Sequence, residues 1–223
     1  MTELDLTVLL ASIVAGAAPI VLAVLGETIS EKGGVINLSL DGSILLSAMV
    51  AFAIAYQSGS LFLGFAGGAL VGAMMSAIVG FFSVFLGLSQ VAVGFVLTLT
   101  ARDLAYFLGN PYARLYGPQT GLWPIPWLQD IPVLGPIFFD QSLPAYLSLV
   151  LIPLVWWYLY RTPMGLRFRA IGENPEAAYA RGANTRAIQF WYTVLGGLLV
   201  GLAGATFSLC TKTGWGRPQG ADG

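Results

Sequence analysis

The sequence contains no histidine and a single cysteine, Cys210, among 223 residues. The first absence removes the side chain that most often serves as a general base or metal ligand near neutral pH. The second rules out an intrachain disulfide. Charge is scarce too: Asp, Glu, Lys and Arg make up 9% of the chain and sum to −1, which gives no indication of a nucleic-acid partner. A phosphate-cradling loop is missing, because Lys212-Thr213 is the only Lys-Thr pair and Thr211 stands where such a loop needs glycine. There is no GxSxG elbow, HExxH helix or CxxC pair, so no catalytic residue, metal or cofactor is expected and the chain does not read as an enzyme. The opening residues, MTELDLTVLL, lack a basic start, so the first apolar run is expected to stay as a permanent span.

What the chain has is hydrophobicity, 57% of its residues, gathered into long runs. A run of about 20 apolar residues in a helix crosses the roughly 30 Å hydrocarbon layer. Such runs predict an all-α fold, a polytopic membrane bundle making one domain over residues 1–223, with spans near 6–25, 35–56, 61–88, 91–108, 144–160 and 187–210. Pro19 and Pro153 lie inside two of these spans. The stretch 26–34, GETISEKGG, reads as a polar break and solvated turn. Residues 109–142 hold six of the twelve prolines, with Trp123 and Trp127, and read as an ordered loop on the membrane surface. Arg102-Asp103, near the far end of the fourth span, can snorkel to the interface.

Residues 161–186, RTPMGLRFRAIGENPEAAYARGANTR, carry five of the ten Lys and Arg residues, which predicts a cytoplasmic loop. Lys32 falls on the same side, the N-terminus is then outside, and Lys212 and Arg217 count against this orientation without reversing it. Trp156, Trp157, Tyr158 and Tyr160 before the loop, with Phe190, Trp191 and Tyr192 after it, fit an interfacial belt. Within the loop, Thr162 and Pro163 start one short helix that Gly172 is expected to end. Asn174 and Pro175 start a second, with Glu176 near its positive end, Arg181 in its last turn and Gly182 as its stop. A helix that short cannot stand alone in water, and its smooth face of Ala177, Ala178 and Ala180 fits a partner's groove. Arg167, Arg169 and Arg181 offer charge to an acidic rim.

Small residues recur at Gly64, Gly68, Gly72, Ser76 and Gly80, and again at Gly197, Gly201 and Ala205. These stripes predict close helix packing rather than pore lining. Asn37 and Asp41 are four apart and so expected on one face of the second span. A carboxylate at that depth either lines a polar pathway or bridges neighbouring helices.

The stretch GETISEKGGVINLSLDGSILLSA, then VGFVLT at 93–98, then RTPMGLRFRAIGENPEAAYARG at 161–182 resemble the permease subunits of ABC importers for simple sugars and nucleosides, the ribose-type group related to branched-chain amino acid permeases. The resemblance covers most of the chain. It implies a membrane-spanning subunit in a plasma membrane, the bacterial inner membrane, that forms part of the solute pathway with a second permease subunit, identical or different. Its other partners would be a cytoplasmic ABC ATPase and an extracytoplasmic solute-binding protein, with the lipid bilayer around it and no nucleic acid. It implies that Gly172, Glu173, Asn174, Pro175, Glu176, Ala177, Ala178, Arg181 and Gly182 form the ATPase-coupling segment; for the substrate pathway, Asn37, Asp41 and Thr98 are the candidate residues. The family continues with further spans after the position of residues 201–205, so a chain ending in TKTGWGRPQGADG is expected to be truncated at its C-terminus. The alternative is an ATP-independent secondary transporter or channel. Such proteins show broken spans in related halves, and no such repeat is evident.

Overall fold

A computed structural model describes residues 6–212 and 214–216. Residues 1–5, Thr213 and residues 217–223 lie outside the described residues, including the start of the chain and Arg217, both used in the orientation argument. Among the described residues, six helical segments are long and apolar enough to cross a membrane. They are α1 (Leu6–Lys32), α2 (Leu40–Ser58), α3 (Leu61–Gly80) with a π-helical turn at Phe81–Phe85, α4 (Gln90–Gly109), α5 (Leu143–Arg161) and α8 (Thr185–Thr206) with a second π-helical turn at Phe207–Thr211. Two short helices, α6 (Pro163–Glu173) and α7 (Pro175–Ala180), lie between α5 and α8. The only paired strands among the described residues are β1 (Leu122–Pro124) and β2 (Asp140–Ser142), antiparallel with Trp123 opposite Gln141.

Helix α8 is the centre, packed on α1, α2 and α3. The small stripes explain how. A methyl group on Gly72 would collide with backbone atoms of Gly197 and Gly201, and one on Gly201 would meet Gly68 and Ala69. From Gly68 to Ser76 the first stripe therefore meets the second in a single contact, in which bare backbones approach and pack closely, whereas Gly64 lies against Ala51 and Ala55 of α2. Gly26 and Gly196 do the same between α1 and α8. The apolar core around Phe52, Met49, Leu45 and Leu209 fills the space that α2 leaves beside α3, α4 and the end of α8.

Two of the expected boundaries are corrected. The polar stretch after residue 25 is helix, not turn: α1 runs on to Lys32, with the hydroxyls of Thr28 and Ser30 bonded back to Val24 and Gly26 carbonyls at 2.7 and 3.3 Å. The turn comes only at Gly33-Gly34, where Gly34 has φ +86°. The second span begins at Leu40, not near 35, so Asn37 lies outside the helix and shares no helical face with Asp41. Neither Pro19 nor Pro153 ends its helix.

The connections gather at two ends. The amides of Gln90 and Gln189 bond the Gly34 and Gly33 carbonyls, and Gly172 abuts the same turn, so the starts of α4 and α8 and the α6–α7 loop share one end. At the other end, Gln57 bonds Tyr112, Thr120 Oγ1 donates to the Leu209 carbonyl at 2.9 Å, and Arg114 N donates to the Trp215 carbonyl at 2.9 Å. Buried Gln141 ties this proline-rich loop to α1 through the Ala11 carbonyl at 3.1 Å. The aromatic belt divides: Trp156, Trp157 and Trp191 face outward, whereas Tyr158 and Tyr192 turn inward and share a hydrogen bond.

Candidate functional site

The α6–α7 loop is held firmly at its base. Thr162 Oγ1 accepts from Gly165 N at 3.0 Å and Asn174 Oδ1 from Ala177 N at 3.0 Å, so both predicted N-caps form, each followed by proline. Gly182, with φ +84°, closes α7 as expected, but α7 ends at Ala180 and Arg181 is its cap. Gly172 is a correction. It lies inside α6, which stops at Glu173, and it does not adopt the left-handed region. Its missing side chain serves a tertiary contact instead, because a methyl there would strike the Lys32 carbonyl, Gly33 and Gly34.

Helix α6 is amphipathic and buries Phe168 and Ile171. The Phe168 ring stacks on Tyr192 at 3.9 Å between centroids, the contact that fixes α6 to α8. Arg169 is not a rim charge: its Nε donates to the Leu159 carbonyl at 3.0 Å and its guanidinium lies 4.6 Å from the Tyr160 ring centroid, both within the chain. By contrast α7 has no buried residue. Glu173, Asn174, Pro175, Glu176, Ala177, Arg181 and Gly182 are exposed, and Ala178 is half-buried. A cleft of about 640 Å³ opens beneath α7, lined by Gln90, Glu176, Tyr179, Arg186 and Gln189.

Residues 35–39 form the second feature, a non-helical strap that enters the bundle between α1 and α2. Backbone groups there cannot be left to lipid. They are met by side chains from α1 and α4, and the Asn37 side chain ties the strap to α3 as well. Asn37 N donates to Glu27 Oε1 at 3.0 Å, Ile36 N to Gln90 Oε1 at 2.9 Å, and Thr98 Oγ1 donates to the Leu38 carbonyl at 2.9 Å. Buried Asn37 donates from Nδ2 to Ser76 Oγ at 2.9 Å and accepts from both Ser39 N and Ser39 Oγ, at 3.1 and 2.6 Å. Two predicted pathway residues, Asn37 and Thr98, thus meet as supports of the strap. Sequence reading missed Gln90, Gln189 and Glu27 as their companions. The signal was available, since each is a polar side chain beside an apolar run.

Asp41 is placed elsewhere. It stands exposed in the first turn of α2 and not inside the bundle, beside Glu27, Thr28 and Glu31 in a groove of about 420 Å³ between α1 and α2, closed at one side by Phe207. The second carboxylate oxygen of Glu27 is buried without a hydrogen-bond partner.

Six apolar helices among the described residues, around a glycine-packed centre and with a capped loop at one end, define a multi-pass helical membrane protein. The family described as "Branched-chain amino acid transport system / permease component" matches over residues 9–219, and the chain belongs to it. The ABC transporter permease protein TsgC13 of Haloferax volcanii is 35% identical over 211 residues, covering 93% of this chain and 64% of that protein. The nucleoside ABC transporter permease protein NupC of Lactococcus lactis is 33% identical, covering 91% of this chain and 68% of its own. The guanosine ABC transporter permease protein NupQ of Bacillus subtilis is 31% identical, covering 86% and 64%. The chain therefore spans about two thirds of the length of these relatives. No solved structure matches it.

Proposed function

We propose that this chain is a single transmembrane permease domain of an ATP-driven importer, that it forms part of the pathway for a simple sugar or nucleoside, and that the α6–α7 loop docks on a cytoplasmic ATPase subunit. The observation that carries the reading is α7, a helix of six residues, capped at both ends, that has no buried residue and leaves Glu176, Ala177 and Ala180 exposed. So short a helix does not persist in water without support, and a fixed, outward, alanine-faced rod is of use only against a partner. Relatives named as nucleoside and guanosine ABC transporter permeases support the solute class. A second permease subunit and an extracytoplasmic binding protein complete the assembly.

Orientation is the first test. With single cysteines replacing Ser58 and Ala178 in a Cys210→Ser background, an impermeant thiol reagent added to intact cells is expected to label Ser58→Cys alone, with Ala178→Cys reacting only after lysis. Labelling of Ala178→Cys from outside would place the loop on the wrong side for an ATPase.

Asp41 enters the pathway by an argument different from the one its spacing supplied. An exposed carboxylate in a membrane-spanning helix is costly against lipid, so the α1–α2 groove meets water or a second permease subunit instead. Because its side chain is exposed, Asp41→Asn is expected to leave accumulation of the protein unchanged while lowering uptake by about tenfold, the effect of losing a charged hydrogen bond. Reduced accumulation with normal uptake per molecule would make the residue structural.

A further inference from the structure

The strap at 35–39 and the Gly33-Gly34 turn before it have a place in the fold that the docking loop and groove do not account for. On one side, Gly172 of α6 lies against the backbone of Lys32, Gly33 and Gly34 without room for a methyl, and the Phe168 ring covers Gly33. On the other side, the strap leads directly into Leu40 and Asp41, which line the α1–α2 groove. Between them, the strap is clasped by side chains: Gln189 Nε2 on the Gly33 carbonyl at 2.8 Å, Gln90 Nε2 on the Gly34 carbonyl at 3.2 Å, Gln90 Oε1 on Ile36 N at 2.9 Å and Glu27 Oε1 on Asn37 N at 3.0 Å. Helix α7 stands away from the strap across the 640 Å³ cleft, so α6 is the part of the loop that touches it.

We propose that the strap is the joint through which movement of the α6–α7 loop reaches the carboxylate groove, with Gln90 and Gln189 as the positioning residues that hold it in one of its settings. The chemistry suits that task. A helix resists displacement because its backbone bonds are cooperative along its length, whereas a strap tied by separate side-chain amides can exchange those bonds one at a time and still leave no backbone group to lipid. A push on Gly33-Gly34 moves Asn37 N away from Glu27 and turns the start of α2 with Asp41. Both ends of the groove's carboxylate set then move together. Residues that touch neither the ATPase nor the solute thereby set how much solute moves per ATP.

The inference rests on the importer reading, and one experiment separates the two. The full-length protein, with its ATPase and binding protein in proteoliposomes, carries Leu38→Cys and Val91→Cys in a Cys210→Ser background, both exposed and the second one turn from Gly94, which abuts Leu38, and a short, reducible bifunctional thiol reagent ties the strap to α4. The expected result is loss of uptake with the ATPase still bound and hydrolysing, and recovery after reduction. In parallel, Gln189→Ala is expected to lower solute moved per ATP by about tenfold, the effect of one lost hydrogen bond at a buried carbonyl. Undiminished uptake by the tied protein, or an unchanged solute-to-ATP ratio in Gln189→Ala, overturns the joint. Release of the ATPase by either change overturns it too, since the residues would then serve docking. If the unaltered protein itself retains no ATPase, the importer reading is the one that fails.

Discussion

Gly201→Val is expected to prevent accumulation of the folded protein. Modest overpacking of a core costs about 1 to 3 kcal/mol, because neighbouring side chains can shift. Here the new atoms would meet the Gly68 carbonyl and Ala69 backbone of α3, which cannot shift without separating the two helices. The loss therefore lies at or above the top of that range, comparable to about 5 kcal/mol at the low end of whole-domain stability. The measurement is the amount of monodisperse protein recovered in mild detergent and its melting temperature. Gly16→Ala supplies the comparison, since nothing beyond the adjoining residues and backbone of its own helix lies within 4 Å of the added methyl. That substitution is expected to be neutral. Normal yield and melting for Gly201→Val would mean that α3 and α8 do not pack through their glycines.

The second large effect is expected at Ala177. Being exposed, it has nothing in its own chain for a larger side chain to disturb, so Ala177→Trp tests the partner alone. Loss of ATPase co-purification together with uptake is expected, at unchanged yield. Half-buried Ala178 is less clean, because a tryptophan there would press on the loop as well. Arg181→Ala removes one exposed charge and should cost about 1 kcal/mol or less. Arg169→Ala is expected to behave differently from a rim charge, since it breaks the bond to the Leu159 carbonyl and loosens the base of α6. Full ATPase retention and uptake in Ala177→Trp would remove α7 as the docking element.

The errors of the sequence reading share a cause. Glycine at 172 satisfies two rules, the left-handed helix stop and the close approach of two backbones, and only the position of Lys32 and Gly34 decides between them. Glu27, Glu31 and Lys32 were assigned to a turn because charge in an apolar chain marks a boundary, yet the helix continues where Glu27 can reach Asn37 N. Arg169 counts as a free charge until Leu159 and Tyr160 are placed beside it. A four-residue spacing puts Asn37 with Asp41 only if the intervening backbone is helical, and it is not.

What the sequence by itself determined is local or compositional. Apolar runs of spanning length set the six helices, and Thr162-Pro163, Asn174-Pro175 and Gly182 set the frame of α6 and α7, because a cap bonds to a backbone group three residues away. Tertiary structure alone decided that the glycine stripe of α3 faces that of α8, that residues 35–39 leave the helix, and that Asp41 opens outward. Small residues state that a close neighbour exists without naming it. The strap is stable as irregular backbone only because Glu27, Ser76, Gln90 and Thr98 arrive from three separate helices to bond it, an arrangement no window along the chain contains.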